Sequence, residues 1–217
     1  MAATLHYNTV SPQLKAILQE LMQADAFGAF RLVGGTALSL HYGHRMSVDI
    51  DLFTDADYGS VDFKAIDTYL RQAYPYVDTN NYETVGMGRS YYVGTSQQEC
   101  IKLDLFYTDP FIEPCMLVDD LRLASPGEIA AMKLDVVQRT GRKKDFWDID
   151  LLSRHFTIDS MFRLHEKRYP YTHNRELLRT QFTDFSGADT DFDPICLLGK
   201  HWEVIKLDII DLIGGLG

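Results

Sequence analysis

The stretch from Arg31 to Phe53, RLVGGTALSLHYGHRMSVDIDLF, constrains the fold more than any other part of the chain. A short apolar segment, FRLV, ends at Gly34-Gly35, and the run TALSLHYG has the character of a short helix that Gly43 stops. The segment SVDIDLF then alternates polar and apolar residues, which is typical of a strand with one buried face. Strand, glycine turn, helix and strand in this order predict a helix packed on a sheet.

Length and composition favour a globular protein without a membrane span. The chain has 217 residues, of which 46% are hydrophobic and 24% charged, enough for one compact domain or a core with an appendage. It has no long apolar run of the kind that crosses a membrane and no visible secretory signal. The three cysteines, Cys100, Cys115 and Cys196, have no metal-binding spacing and read as thiols of a reducing compartment. We therefore expect a cytoplasmic protein.

The pattern of elements changes at Ser125. Before it, helical segments at Pro12–Ala26 and Asp62–Ala73 alternate with extended segments that include YVDTNNYETV, SYYVGT and CIKLDLFY. The segment CMLVDDLRLA predicts one further strand and a turn. After the capping box SPGE, five segments read as helices: 126–140, 145–155, 159–167, 174–181 and 200–212. We expect an α+β protein with an α/β core over residues 1–124 and a mainly helical region over 125–217 packed on it.

Two aspartates of the second strand are candidates for a metal site. Asp49 and Asp51 alternate with apolar neighbours, so their side chains point to one face of the strand. Asp104, in IKLDLF, has the same alternation, and it would complete a three-carboxylate cluster if the two strands were neighbours. Such a cluster suits Mg²⁺ or Mn²⁺, and it can hold two ions that activate the attacking oxygen and bind a triphosphate. The alternative is that these carboxylates lie at the solvent-exposed end of an edge strand.

The glycine pair offers a complementary anion site. Gly34 and Gly35 lack Cβ atoms, so their backbone can approach a ligand closely, and the helix start that follows favours phosphate. Thr36 either adds a hydroxyl to that site or caps the helix. Arg45 and Ser47, just before the strand, are placed to contact a phosphate or a base, although Arg45 could equally pair with a nearby acid. His41 and His44 are expected to be partly exposed.

Together these motifs resemble the AbiEii/AbiGii toxin family, a branch of the minimal nucleotidyltransferases in the DNA polymerase β-like superfamily. Gly34-Gly35-Thr36 matches the phosphate motif of that family, Asp49-x-Asp51 its metal motif, and Asp104 the third superfamily carboxylate. The resemblance implies a nucleotidyltransferase fold, that is, a mixed sheet with flanking helices, followed by a helical C-terminal region. It also implies metal binding by the three aspartates, with Asp104 as ligand or general base.

The resemblance continues in SPGEIAAMKLDVVQRTGRKKDFWDIDLL, where Lys133 and Asp135 match a helical lysine and aspartate of the family. Lys133 would neutralise charge on the leaving pyrophosphate, although a lysine at the edge of an apolar face often only snorkels to solvent. Lys144 stands where the family is expected to have arginine, and it lacks the bidentate fork of arginine. Asp145 and Asp148 are expected to fix Arg139, Arg142 or the helix start, and Trp147 to lie in the core.

The resemblance implies the toxin of a bacterial toxin–antitoxin pair, with a nucleoside triphosphate as substrate, RNA (including tRNA 3′-ends) or protein as acceptor, and an antitoxin protein as partner. The net charge of -10 disfavours a broad nucleic-acid surface, and the basic run RTGRKK at 139–144 reads either as a local patch or as a solvated loop. Two other functions remain open at this point: a nucleotide-binding or interaction module that has lost catalysis, and a sugar-nucleotide glycosyltransferase. The latter does not explain the Gly-Gly-Thr helix start.

Overall fold

The computed structural model describes residues 4–79 and 86–215, and these form a mixed α+β fold. A seven-stranded sheet has the order β3-β4-β5-β2-β1-β7-β6. β2 pairs with β5, and β1 with β7, in parallel, and the other neighbours are antiparallel. The strands are β1 (Arg31–Leu32), β2 (Asp49–Thr54), β3 (Tyr76–Thr79), β4 (Gly88–Gly94), β5 (Cys100–Tyr107), β6 (Met116–Val118) and β7 (Leu121–Leu123).

Eight α-helices accompany the sheet in the described part of the chain, five of them after the last strand. They are α1 (Pro12–Gln23), α2 (Gly34–Tyr42), α3 (Phe63–Ala73), α4 (Pro126–Thr140), α5 (Lys143–Leu152), α6 (Ile158–Arg168), α7 (Arg175–Gln181) and α8 (Trp202–Gly214). Most begin at polar caps: the side chains of Ser11, Asp62, Ser125, Thr157 and Asn174 each accept a backbone N–H of the first turn. The α+β class predicted from the sequence is confirmed.

Strict alternation along β2 and β5 gives the sheet one apolar and one polar face. Ile50 and Leu52 of β2, like Leu103 and Leu105 of β5, are fully buried. The intervening residues Asp49, Asp51, Lys102 and Asp104 are half-buried. The polar face is therefore available for a site in the middle of the sheet.

One predicted strand is in fact a hairpin. The segment from Cys115 to Ala124 forms β6 and β7, which pair antiparallel around Asp119-Asp120. Both aspartates have positive φ, 49° and 61°. A two-residue turn with positive φ at both positions matches the twist of a hairpin, and aspartate tolerates this conformation.

Several predicted boundaries also differ from the structure. α1 ends at Gln23, and a separate 3₁₀ turn follows at Asp25–Phe27. α5 begins two residues earlier and ends three residues earlier than predicted, over Lys143–Leu152. The predicted extended segment 76–85 is a strand as far as Thr79, and its remainder lies outside the described residues. None of the helices described is both long enough and apolar enough to cross a membrane.

Candidate active site

A cleft of about 400 Å³ brings together most of the residues that the sequence singles out. It lies between β2, the start of α2 and the helices α4 and α5. Eight predicted site residues line it: Gly34, Gly35, Arg45, Ser47, Asp49, Asp51, Lys133 and Asp135. Thr36 and Asp104 do not line it.

The start of α2 is open towards this cleft. Val33 precedes the helix and provides no side-chain cap, so the first backbone N–H groups are left for a ligand. Gly34 has φ +67°, and a Cβ at this position would lie 2.7 Å from Oδ2 of Asp51. A Cβ on Gly35 would lie 2.2 Å from Nη2 of Arg45. The glycine pair therefore lets the helix start approach both a carboxylate and a guanidinium, and the helix dipole favours an anion there.

Thr36 connects the helix and the strand that carry the site residues. Its hydroxyl is buried, donates to the carbonyl of Asp49 at 2.5 Å and lies 2.8 Å from Oγ of Ser47. These bonds connect α2 to the beginning of β2. In this arrangement Thr36 positions Asp49 and Ser47, and of these hydroxyls only that of Ser47 faces the cleft.

The two aspartates of β2 face the cleft, and the third lies on the neighbouring strand. In the parallel register of β2 and β5, Asp51 is opposite Asp104. Burial, together with the charges of Asp104 and Asp49, raises the pKa of Asp51 to about 6. A cation bound between these carboxylates would reduce the repulsion between their negative charges.

The third carboxylate is held by a lysine. Lys102 forms an ion pair with Oδ2 of Asp104, while Oδ1 of Asp104 is buried without a hydrogen-bond partner. Within the described ranges, no group of three or more His, Cys, Asp or Glu side chains is arranged so that it could hold a metal ion. Asp49 and Asp51 supply the hard oxygen donors that suit Mg²⁺, and these two carboxylates fit a divalent cation. Asp104 lies opposite Asp51 but is paired with Lys102 and does not line the cleft.

Lys133 lies on the cleft wall, already paired. Its Nζ is 2.7 Å from Asp145 and 2.6 Å from Asp148, and the side chain is almost completely buried. Asp145 also accepts the backbone N–H of Arg142 at the start of α5, as expected. An ammonium group has three N–H donors, so one remains for a ligand in the cleft.

Asp148 is the hub of a buried ionic network that the sequence did not reveal. It accepts two bonds from Arg45, at 2.7 and 2.9 Å, and one contact of 2.7 Å from His44, in addition to Lys133. Burial alone would raise the pKa of Asp148, but Arg45 and Lys133 hold it well below its usual range. His44 is fully buried, so the expectation that it would be partly exposed is wrong. Asp148 thus binds Arg45, not Arg139 or Arg142, and Arg45 reaches the cleft as one half of an ion pair.

Asp135 is engaged with residues of the helical region. Its Oδ2 accepts from Arg139 at 2.5 Å, and its Oδ1 lies 3.7 Å from Nε2 of the buried His165. His165 in turn contacts His173 through their Nδ1 atoms at 2.8 Å.

The basic run at 139–144 is neither a free patch nor only a solvated loop. Arg142 pairs with Asp191, Lys143 with Asp193, and Lys144 lies 3.6 Å from Oδ2 of Asp49. Lys144 is half-buried at the rim of the cleft, beside one of the candidate metal ligands. Trp147 is buried and stacks on Trp202, as expected for a core residue.

Comparison with known proteins gives the class and the family of this protein. The family model of the nucleotidyl transferase AbiEii toxins, of type IV toxin–antitoxin systems, matches residues 16–209. The chain belongs to this family, as the motifs predicted, and is a nucleotidyltransferase.

Solved structures with low sequence identity share the fold. MenT4, a nucleotidyltransferase toxin of Mycobacterium tuberculosis, is 16% identical with a TM-score of 0.60, over 94% of this chain and 84% of that one. JHP933 of Helicobacter pylori is 17% identical with a TM-score of 0.58, over 93% and 88% of the two chains.

A relative by sequence is an uncharacterised protein of Aquifex aeolicus. It is 29% identical over 161 residues, which are 70% of this chain and 72% of that protein.

Proposed function

We propose that this nucleotidyltransferase transfers a nucleoside monophosphate from a nucleoside triphosphate to a hydroxyl group of RNA or protein, with Mg²⁺ or Mn²⁺ as cofactor. One observation carries the proposal: the carboxylates of Asp49 and Asp51 and the uncapped start of α2 face the same cleft. A metal–triphosphate complex needs both halves, hard oxygen ligands for the cation and N–H donors for the phosphates.

Each side chain would then have a distinct task. Asp49 and Asp51 would hold the metal ion, which supplies electrostatic stabilisation of the charged phosphates. The N–H groups of Gly34 and Gly35 would bind phosphate oxygens. Ser47 would join them by turning its hydroxyl away from Thr36, to which it donates in this structure because the Thr36 proton goes to the carbonyl of Asp49. The remaining N–H donor of Lys133 would bind the leaving group. Asp135 and Arg45 would shape the nucleotide site, since both line the cleft and are fixed by ion pairs.

The reaction would be a displacement at the α-phosphorus. Asp104 would either join Asp49 and Asp51 as a metal ligand or act as general base. The proton of the acceptor hydroxyl goes to water in the first case and to Asp104 in the second, and the hydroxyl oxygen forms a bond to the α-phosphorus. The bond from that phosphorus to the bridging oxygen breaks, and pyrophosphate leaves. Asp104 would have to turn away from Lys102 to take part, because its Oδ1 is buried, its Oδ2 binds that lysine, and the residue does not line the cleft.

The biological setting is part of the proposal. Membership of the AbiEii family, and the likeness to the nucleotidyltransferase toxin MenT4, support a toxin of a bacterial toxin–antitoxin pair. Such a toxin would act in the cytoplasm with a cognate antitoxin protein as partner. An RNA acceptor, for which a tRNA 3′-end is one candidate, would have to use a local surface, because the net charge is -10.

The test is incorporation of radiolabelled nucleotide from each nucleoside triphosphate into total bacterial RNA or protein. Asp49→Ala/Asp51→Ala should abolish incorporation. Asp57→Ala, on the exposed loop after β2, serves as the control and should leave incorporation unchanged. Undiminished transfer by the first variant would refute the assignment. Triphosphate binding without any transfer would favour the alternative, a catalytically inactive nucleotide-binding module.

A further inference from the structure

Lys102 is the ion-pair partner of the third carboxylate, Asp104. Lys102 and Asp104 are two residues apart on β5, so they share the sheet face that carries Asp49 and Asp51. The ammonium group binds Oδ2 of Asp104, whose other oxygen is buried and unpartnered. The side chain of Lys102 is 37% exposed and that of Asp104 only 16%. The lysine therefore approaches from the solvent side and can withdraw without crossing the core.

The lysines around the three aspartates are also distributed unevenly. Lys102 binds Asp104 and is opposite Asp49 in the register of β2 and β5, and Lys144 lies 3.6 Å from Asp49. Asp51 has no lysine or arginine at ion-pair distance in the described part of the chain. Two ammonium groups thus offset Asp104 and Asp49, while Asp51 is left for a cation.

We infer that Lys102 is a positioning residue that holds Asp104 away from Asp49 and Asp51 until a divalent cation binds. This inference rests on the proposed function, because it assumes that the three carboxylates bind metal. When the cation enters, Asp104 exchanges the ammonium group for the metal, and the Lys102 side chain moves towards solvent. Lys102 and the metal ion therefore compete for the same carboxylate.

Competition between Lys102 and the metal ion has a different consequence for metal affinity from an ion pair that only stabilises the fold. If Lys102 only stabilised β5, its removal would lower stability and leave metal affinity unchanged or weaker. If it competes with the cation, its removal eliminates both the rival partner and a like charge a few ångströms from the metal. At the effective dielectric of a protein surface, a charge at this distance changes cation affinity by about tenfold or more.

The experiment is titration of Mn²⁺ in the absence of nucleotide, by isothermal calorimetry or by the electron paramagnetic resonance signal of free Mn²⁺. Lys102→Met should bind Mn²⁺ about tenfold more tightly than the wild type. Lys102→Arg keeps the charge and should stay within about twofold of wild type. Lys64→Met makes the same change of net charge on the exposed surface of α3 and should have no effect. If Lys102→Met does not fold, Lys102→Gln replaces it in the same titration.

The outcomes separate the two proposals. Unchanged or weaker Mn²⁺ affinity in the Lys102 variant, with normal binding by the wild type, overturns the competing role and leaves the proposed function standing. If the wild type binds Mn²⁺ no better than Asp49→Ala/Asp51→Ala does, the metal site itself is overturned, and with it the role of Lys102.

Discussion

Asp51→Asn should stabilise the protein above neutral pH, although it removes a residue placed at the centre of the site. The pKa of Asp51 is raised from 3.8 to about 6, first by burial and then by the charges of Asp104 and Asp49. The folded protein therefore binds this proton more strongly than the unfolded chain does. It follows that the contribution of Asp51 to wild-type stability falls as pH rises from 3.8 to about 6 and then levels off.

The magnitude follows from the shift in pKa. A rise of this size corresponds to at most about 3 kcal/mol, at 1.36 kcal/mol per pH unit. Because Asp51 is half-buried and lines an open cleft, screening by solvent reduces that figure, and we expect about 1 to 3 kcal/mol. Asparagine has the same shape without the charge, so the variant should gain this free energy of unfolding at about pH 8 and lose the gain at about pH 4.

Urea denaturation followed by circular dichroism at several pH values, without added metal, measures the difference. Asp57→Asn, on the exposed loop after β2, controls for the change in net charge and should show no comparable gain. A variant at Asp51 that is no more stable than the wild type at about pH 8 would refute the idea that burial and charge repulsion destabilise this cluster.

Three further predictions concern the same cleft. Mn²⁺ affinity should fall as pH drops below about 6, because protonated Asp51 cannot bind metal, and calorimetric titration at several pH values would detect a pH-independent affinity if this is wrong. Gly34→Ala should destabilise the protein by about 1 to 2 kcal/mol because of the positive φ, and the clash of the new Cβ with Asp51 should add to this loss. Gly59→Ala, also at positive φ but with open space around it, should show only the first cost, and equal losses of stability in urea would contradict the proposed contact. Asp148→Ala should cost about 3 to 5 kcal/mol in urea denaturation because it leaves Arg45 and Lys133 without their buried partner, and a loss as small as that of the exposed Asp184→Ala would contradict this.

Local patterns predicted the half of the site that lies on strands and at the helix start. Alternation places Asp49, Asp51 and Asp104 on one face, and the glycine pair marks the start of α2. β2 and β5 pair in parallel and set Asp51 opposite Asp104. This pairing is part of the tertiary structure, and the alternation of polar and apolar residues within each strand does not determine it. Lys102 shares the alternation with Asp104, so its position was predictable, but its ion pair was not.

The ionic network around Asp148 could not be predicted in the same way. Arg45 and Asp148 are separated by 103 residues, and nothing local to either indicates the other. Lys133 was expected to face a triphosphate, but the fold also surrounds it with Asp145 and Asp148. The hairpin at Asp119-Asp120 was missed for a different reason, since an Asp-Asp turn is a weaker signal than one with glycine.

The most direct test of a single metal–triphosphate site is a crystal structure with Mn²⁺ and a non-hydrolysable nucleoside triphosphate. We expect an anomalous Mn²⁺ peak bonded to Asp49 and Asp51, with phosphate oxygens within hydrogen-bonding distance of the N–H groups of Gly34 and Gly35. Triphosphate bound away from the start of α2, or Mn²⁺ bound without either aspartate, would contradict the proposed site.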